Sequence, residues 1–434
     1  MKYLMGFLFF CGFTFVCADP STLESYFTAD EILRSQHYFQ RFDFWNILSR
    51  IITYGSILIL LLSSLHLWID RKIDRFYEFI FRRSFRVGKL NFGLLPQIFF
   101  KVICWILLLE CYWTLTGLPI SYLMHQIKED FGLTNQTFWV AYGNSWVKYW
   151  YTLANKIGIA ILFLTFYQIS RRYWWIAFGL LFFFSGIVVN YFSQAGQREI
   201  DGVETRKSLE PGPLRTKLEA EIQKSGVQIT NIKYTDESKR TTVPQAWILS
   251  PSDQHFLFFT DSCFKYPDEM LVNMALHEIG HLFYKHTEIR RIYRRVSNFV
   301  NLFLVALLIQ AYLRIRYRKT PEVIEGKGQV LIYLIFSLLA TKMISLLILV
   351  PVDCWLNQTQ ELQAERYALE HTHDPETMIF LRKTMALASL TRLEISWWSR
   401  YWYDYPPVIE FLKISEEFQF QKKPSSSSES PRPK

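Results

Sequence analysis

Apolar positions run together in this chain over longer stretches than one face of a helix or strand requires. The runs fall at residues 52–68, 98–118, 157–169, 173–191, 296–312 and 330–352. A helix needs roughly 20 apolar residues to cross a bilayer. Most of the runs approach that length, and each predicts a membrane helix. The run at 157–169 is short alone, but Ser170-Arg171-Arg172 and the run behind it read as a tight hairpin. A seventh apolar segment opens the chain. Lys2, the apolar core over 3–15 and Val16-Cys17-Ala18 fit a secretory signal cut after Ala18 or an uncleaved first span. Between the runs, 71–89 is a basic connector, and 119–156 reads as a loop with Gly132 and Asn135 as turn formers.

After residue 191 the pattern changes. Residues 193–268 are polar, with a helix expected over 214–224 behind Pro211-Gly212-Pro213 and short strands over 227–234, 245–249 and 256–260. Pro267-Asp268-Glu269 then opens an apolar helix, 271–284, containing His277-Glu278-Ile279-Gly280-His281. Positions i and i+4 share a helix face, so both imidazoles can meet one ion, with Glu278 beside a bound water. Gly280 costs a helix roughly 1 kcal/mol against alanine, which predicts close approach of another backbone there. The strand ahead of such a helix can hold an extended peptide by its free edge. The parts in order are 1–18, signal or first span; 19–192, spans and loops; 193–295, peptidase domain; 296–352, two spans; 353–421, the rest of the peptidase domain; and 422–434, a disordered Ser- and Pro-rich tail.

Composition agrees with a membrane protein, at 50% hydrophobic and 17% aromatic residues. The net charge of +9 comes mostly from Lys and Arg beside the apolar runs. That placement suits lipid headgroups and not nucleic acid. The basic residues are more numerous on the side holding 71–89, which mildly favours that side as cytoplasmic and the metal domain outside. The six cysteines form no CxxC pair and require no disulfide framework. Glu110 and Lys342 lie inside apolar runs, where an ionisable residue faces protein or water, or snorkels from a span end.

Two histidines leave a metal site one protein ligand short. Glu361-Leu362-Gln363-Ala364-Glu365 fits the need: a helix puts Glu361 and Glu365 on one face. Glu361 can bind the ion while Glu365 braces a histidine from behind. His371 and His373 are alternative ligands. Zinc on such a set activates water and polarises a carbonyl, and Glu278 moves the proton to the leaving amine.

Several segments resemble one family, the integral-membrane zinc metallopeptidases of the type-I CAAX prenyl protease class. They are Arg34-Ser35-Gln36-His37-Tyr38 with Phe44-Trp45, Leu118-Pro119-Ile120-Ser121, and Phe131-Gly132-Leu133-Thr134-Asn135-Gln136-Thr137. The order of spans, HExxH helix, two spans and Glu motif matches too. The resemblance implies a mainly α, polytopic fold: a seven-span helical barrel around a large chamber, with a zinc peptidase domain containing a small β-sheet. It implies His277, His281 and Glu361 as zinc ligands and Glu278 as catalytic base. The implied substrates are prenylated CAAX proteins or other peptides, cut in the endoplasmic reticulum membrane of a eukaryote or the inner membrane of a bacterium. The chain departs from the family in three places. Glu365 stands where the family has Asp. Gln245-Ala246-Trp247 stands for Asn-Ala-aromatic. Tyr405-Pro406-Pro407 stands for His-Pro-Pro, with the Tyr405 hydroxyl left to donate in place of the imidazole. The alternatives are an HtpX-like quality-control peptidase and a weakened scaffold homologue. A transporter would leave the HExxH unexplained.

Overall fold

The protein is described by a computed structural model covering residues 23–63, 65–84, 94–169, 173–177, 179–181, 206–250, 254–316, 337, 339–341, 343–393 and 399–422. The leader at 1–18, the Arg171-Arg172 hairpin, Lys342 and the tail from 423 lie outside them.

The described chain is mostly helical. Helix α1, Ala29–Leu62, starts at a capping box: the Thr28 hydroxyl accepts from Glu31 N–H, and the Glu31 carboxylate accepts from Thr28 N–H. The expected span at 52–68 is not continuous. Ser63 turns extended, its N–H bonded to Ile59 O at 2.9 Å and its hydroxyl accepting from Leu65 N–H at 3.3 Å. A serine whose hydroxyl caps the first N–H of the following helix starts a new helix where hydropathy alone would continue the old one. Helix α2, Leu65–Ser84, follows as a separate element and takes up most of the basic connector.

The loop expected at 119–156 is also corrected. Helix α3, Leu94–Asp130, runs through Pro119, and α4, Phe138–Ile169, begins after one short turn. Proline removes one helical hydrogen bond, a loss tolerated in long membrane helices held by neighbours. Here Ile120 and Ile127 are buried, the latter with Tyr38 of α1. The turn forms where glycine allows it. Gly132 takes a left-handed φ of 72°, Gly132 N–H bonds Glu129 O, and Leu133 N–H bonds Lys128 O, a Schellman stop.

Two described helices, Phe99–Asp130 and Leu339–Thr372, are long and apolar enough to cross a membrane. Glu110 on α3 is buried and accepts from Lys156 Nζ of α4 at 2.5 Å, so it faces protein.

The peptidase part is a small sheet covered by helices. Strands β1 (Lys207–Ser208), β2 (Asn231–Thr235), β3 (Ala246–Leu249) and β4 (Phe256–Thr260) lie in the order β1-β2-β4-β3. β2 and β4 are parallel; the other pairs are antiparallel. Two short strands at the edges flank this central pair, and β1 was not expected from its two polar residues. Helix α5, Pro213–Lys224, buries Leu218 and Ile222 against helix α6, Asp268–Phe283. Helix α7, His286–Arg316, follows α6 after one turn. Helices α8 (Val350–Thr372) and α9 (Pro375–Ser389) close the core with Tyr367, Ala368, Met378 and Leu381. Helix α10, Val408–Lys422, adds Ile414.

The α3–α4 turn ties the helical part to this sheet. Asn135 Nδ2 donates to Ser238 O at 2.7 Å, and the Thr134 hydroxyl to Arg240 O at 3.1 Å. In return, Thr241 and Thr242 donate to Leu133 O and Gly132 O. The segment held this way leads directly into β3.

Gly280 is the point where α6 meets α8. A Cβ there would lie 3.0 Å from Ala364 Cα, 3.1 Å from Tyr367 Cβ and 3.2 Å from Ala364 O. Backbone atoms cannot swing aside, so the helices must part. Overpacking of this kind costs about 1–3 kcal/mol. Gly280→Ala should therefore lower the thermal midpoint and weaken metal binding, because Glu361 moves with Ala364. Calorimetry and a chelator competition read the two effects, and an unchanged midpoint would contradict the close approach.

Candidate metal centre

Helices α6 and α8 present the site to each other. Their packing at Gly280 brings Glu361 opposite the two histidines of α6. His277 Nε2 lies 3.3 Å from Glu361 Oε2, and His281 Nε2 lies 3.6 Å from Glu361 Oε1. One ligand atom from each of the three residues falls within 4.8 Å of the others. His277 is 7% exposed and Glu361 4% exposed. Two imidazole nitrogens and a carboxylate on one buried centre suit a divalent metal and leave a coordination position for water. His371 and His373 are not in this group: the His371 ring bonds Tyr367 O at 2.8 Å, and His373 caps α8 in a left-handed turn.

Glu365, fully buried, stands behind His277, its Oε2 3.2 Å from Nδ1. The extra methylene relative to aspartate does not prevent the contact. Arg382 of α9 forks onto the same carboxylate, with Nε donating to Oε1 at 2.8 Å and Nη2 to Oε2, and its Nη2 also lies 2.9 Å from His277 Nδ1. Its guanidinium rests on the Phe411 ring, 4.3 Å from the centroid. Burial and the Arg382 charge press the His277 imidazole towards neutrality, but its bonds to Glu361 and Glu365 outweigh them and lift it to about 9. A metal must displace that proton, so the pocket's negative charge is matched to a cation of either kind.

Glu278 is half-buried. Burial pushes its carboxyl above the ordinary range, against the opposing pull of His277 and His281. Tyr405 reaches the same surroundings from the segment before α10. Two side chains one turn ahead of Glu361 hold that segment. Asn357 Nδ2 donates to Asp404 O at 2.6 Å, and Gln358 Nε2 donates to Tyr403 O at 2.6 Å and Arg400 O at 2.9 Å. The Glu361 charge, then burial, then Glu278 push the Tyr405 hydroxyl up to about 12. It therefore stays a hydrogen-bond donor at neutral pH.

Strand β3 is an edge of the sheet and packs on α6. Ala246 and Ile248 face the core, while Trp247 stacks on Phe258 with centroids 5.5 Å apart. Gln245, one residue earlier, is tied inward by its backbone: its N–H bonds the Thr260 hydroxyl and its carbonyl accepts from Thr260 N–H, both at 2.9 Å.

Arg382, His286, Asn357 and Gln358 escaped the sequence reading. His286 had a signal, a third histidine five residues after His281, and Arg382 interrupts an apolar helix.

Residues 212–413 match Peptidase family M48. The chain is 20% identical over 428 residues to a Bacillus subtilis (strain 168) protein described as Uncharacterized metalloprotease YhfN, covering 91% of this chain and 89% of that one. The crystal structure of S. mikatae Ste24p shares the fold, with a TM-score of 0.70 at 18% identity and 94% of each chain covered.

Proposed function

From a membrane metalloprotease whose residues 212–413 are a peptidase family M48 domain, we propose a zinc endopeptidase acting on peptides delivered at the membrane, prenylated CAAX-type proteins foremost. One observation carries the reading: His277 Nε2, His281 Nε2 and Glu361 converge on one buried point, with Glu278 close enough to feel all three and the edge strand β3 packed on the helix that carries the histidines. Zinc held by His277, His281 and Glu361 supplies a Lewis acid and a water acidified towards a pKa of about 7. Glu278 takes a proton from the attacking water and hands it to the leaving amine. The Tyr405 hydroxyl donates to the developing oxyanion, the role that falls to it if no imidazole stands there. Glu365 keeps His277 oriented. The β3 edge pairs with the substrate main chain, as an unpartnered strand can.

The architecture proposed with this chemistry is a multi-pass protein, seven spans enclosing a chamber. Segments 193–295 and 353–421 are then the two halves of the peptidase domain. The fold shared with Ste24p over 94% of the chain supports that reading over a shorter quality-control peptidase.

The purified protein should carry stoichiometric zinc and cleave a prenylated CAAX peptide faster than its unprenylated form. Zinc content and cleavage rates, with Glu278→Gln as control, measure both. Absence of zinc together with absence of Glu278-dependent cleavage would overturn the enzyme. Equal cleavage of the two peptides would remove only the prenyl preference.

A further inference from the structure

The two metal histidines have different partners behind them. A ligating imidazole needs its proton on the ring nitrogen away from the ion, and a neighbouring acceptor fixes it there. For His277 the acceptor is the Glu365 carboxylate. Among the described residues, no carboxylate stands behind His281. Its Nδ1 instead lies 2.9 Å from Nδ1 of His286, and His286 Nε2 lies 3.0 Å from Gln363 Oε1.

We propose that Gln363 and His286 form a hydrogen-bonded relay that fixes the tautomer of His281 and so sets the strength of its bond to the metal. The inference rests on the metal-site reading above. The logic runs inward from Gln363. Its amide oxygen only accepts, so His286 Nε2 carries a proton. A neutral imidazole has one such proton, which leaves His286 Nδ1 as an acceptor. His281 Nδ1 must then be the donor, and its Nε2 lone pair faces Glu361 and the ion. Reversing the Gln363 amide reverses every step and puts a proton on His281 Nε2, where no metal could bind.

The surroundings keep the relay fixed. His286 is 2% exposed, and the Tyr284 ring stacks on it at 5.5 Å and 18°. Lys285 makes the turn into α7 in a left-handed conformation, φ 54°, and aims the next residue back at α6. Gln363 lies on α8 between Glu361 and Glu365, so one helix supplies a ligand and a support for each histidine. Because an amide polarises an imidazole less than a carboxylate does, His281 is the weaker of the two nitrogen ligands.

The test measures zinc affinity by chelator competition in detergent, beside the thermal midpoint of the metal-free protein. Loss of a partner behind a ligand typically costs 10–100-fold in metal affinity. His286→Leu and Gln363→Leu should each weaken zinc by about that factor. Gln363→Glu keeps an acceptor and should bind at least as tightly as the unaltered protein. Gln363 is exposed, so its variants should keep the metal-free midpoint. Affinities within twofold of the unaltered protein in both leucine variants would overturn the relay while leaving the metal site standing. Failure of the unaltered protein to bind zinc would overturn the site and the relay together.

Discussion

Glu278→Gln should slow peptide hydrolysis by orders of magnitude while zinc remains bound. The substitution keeps the shape of the side chain and removes only its ability to take a proton. Glu278 is not among the three converging ligand groups, and those groups are supported by Glu365, Arg382 and His286, none of which the change touches. A positioned general base is worth about 10²–10⁴-fold in rate, and kcat should fall by that factor with little change in KM. Kinetics on one cleavable peptide, with zinc content measured on the same sample, separates the two properties. Retained kcat would assign the proton transfer to another group, and loss of zinc would make Glu278 part of the binding set.

The residues of this site differ in how far the sequence exposes them. His277, Glu278 and His281 are adjacent on one helix, where spacing alone fixes a shared face. Glu361 and Glu365 share a face for the same reason, and the need for a third ligand points to them. Gly280 is legible as an anomaly: a poor helix former inside a buried helix, explained by Ala364 on the facing backbone. Arg382 is a different case. Its partner is 17 residues away and the histidine beside it 105 away, and no periodicity links positions across a tertiary contact. The helix ends were misjudged for local reasons. Ser63 stops a helix inside an apolar run, and Pro119 fails to stop one, because side-chain capping and packing outrank hydropathy and propensity at single positions.

Arg382→Leu should produce the largest loss of stability in the peptidase part. Glu365 is fully buried, and the arginine meets both of its oxygens. Without Arg382 the carboxylate keeps only one partner, His277 Nδ1, in place of two. Breaking one side of a buried pair typically costs about 3–5 kcal/mol, because the remaining charge stays desolvated. Replacing both partners removes that charge. Arg382→Leu/Glu365→Leu should therefore recover much of the lost stability, giving a strongly non-additive double-mutant cycle in denaturation midpoints. Metal affinity should behave differently. The double variant leaves His277 Nδ1 with no acceptor, so zinc should stay weakened by about 10–100-fold even as the fold recovers. Stability and metal binding then separate in a single protein, which a purely structural ion pair would not produce. An additive cycle would show that the arginine and the carboxylate act independently, and full recovery of zinc affinity in the double variant would show that Glu365 does not orient His277.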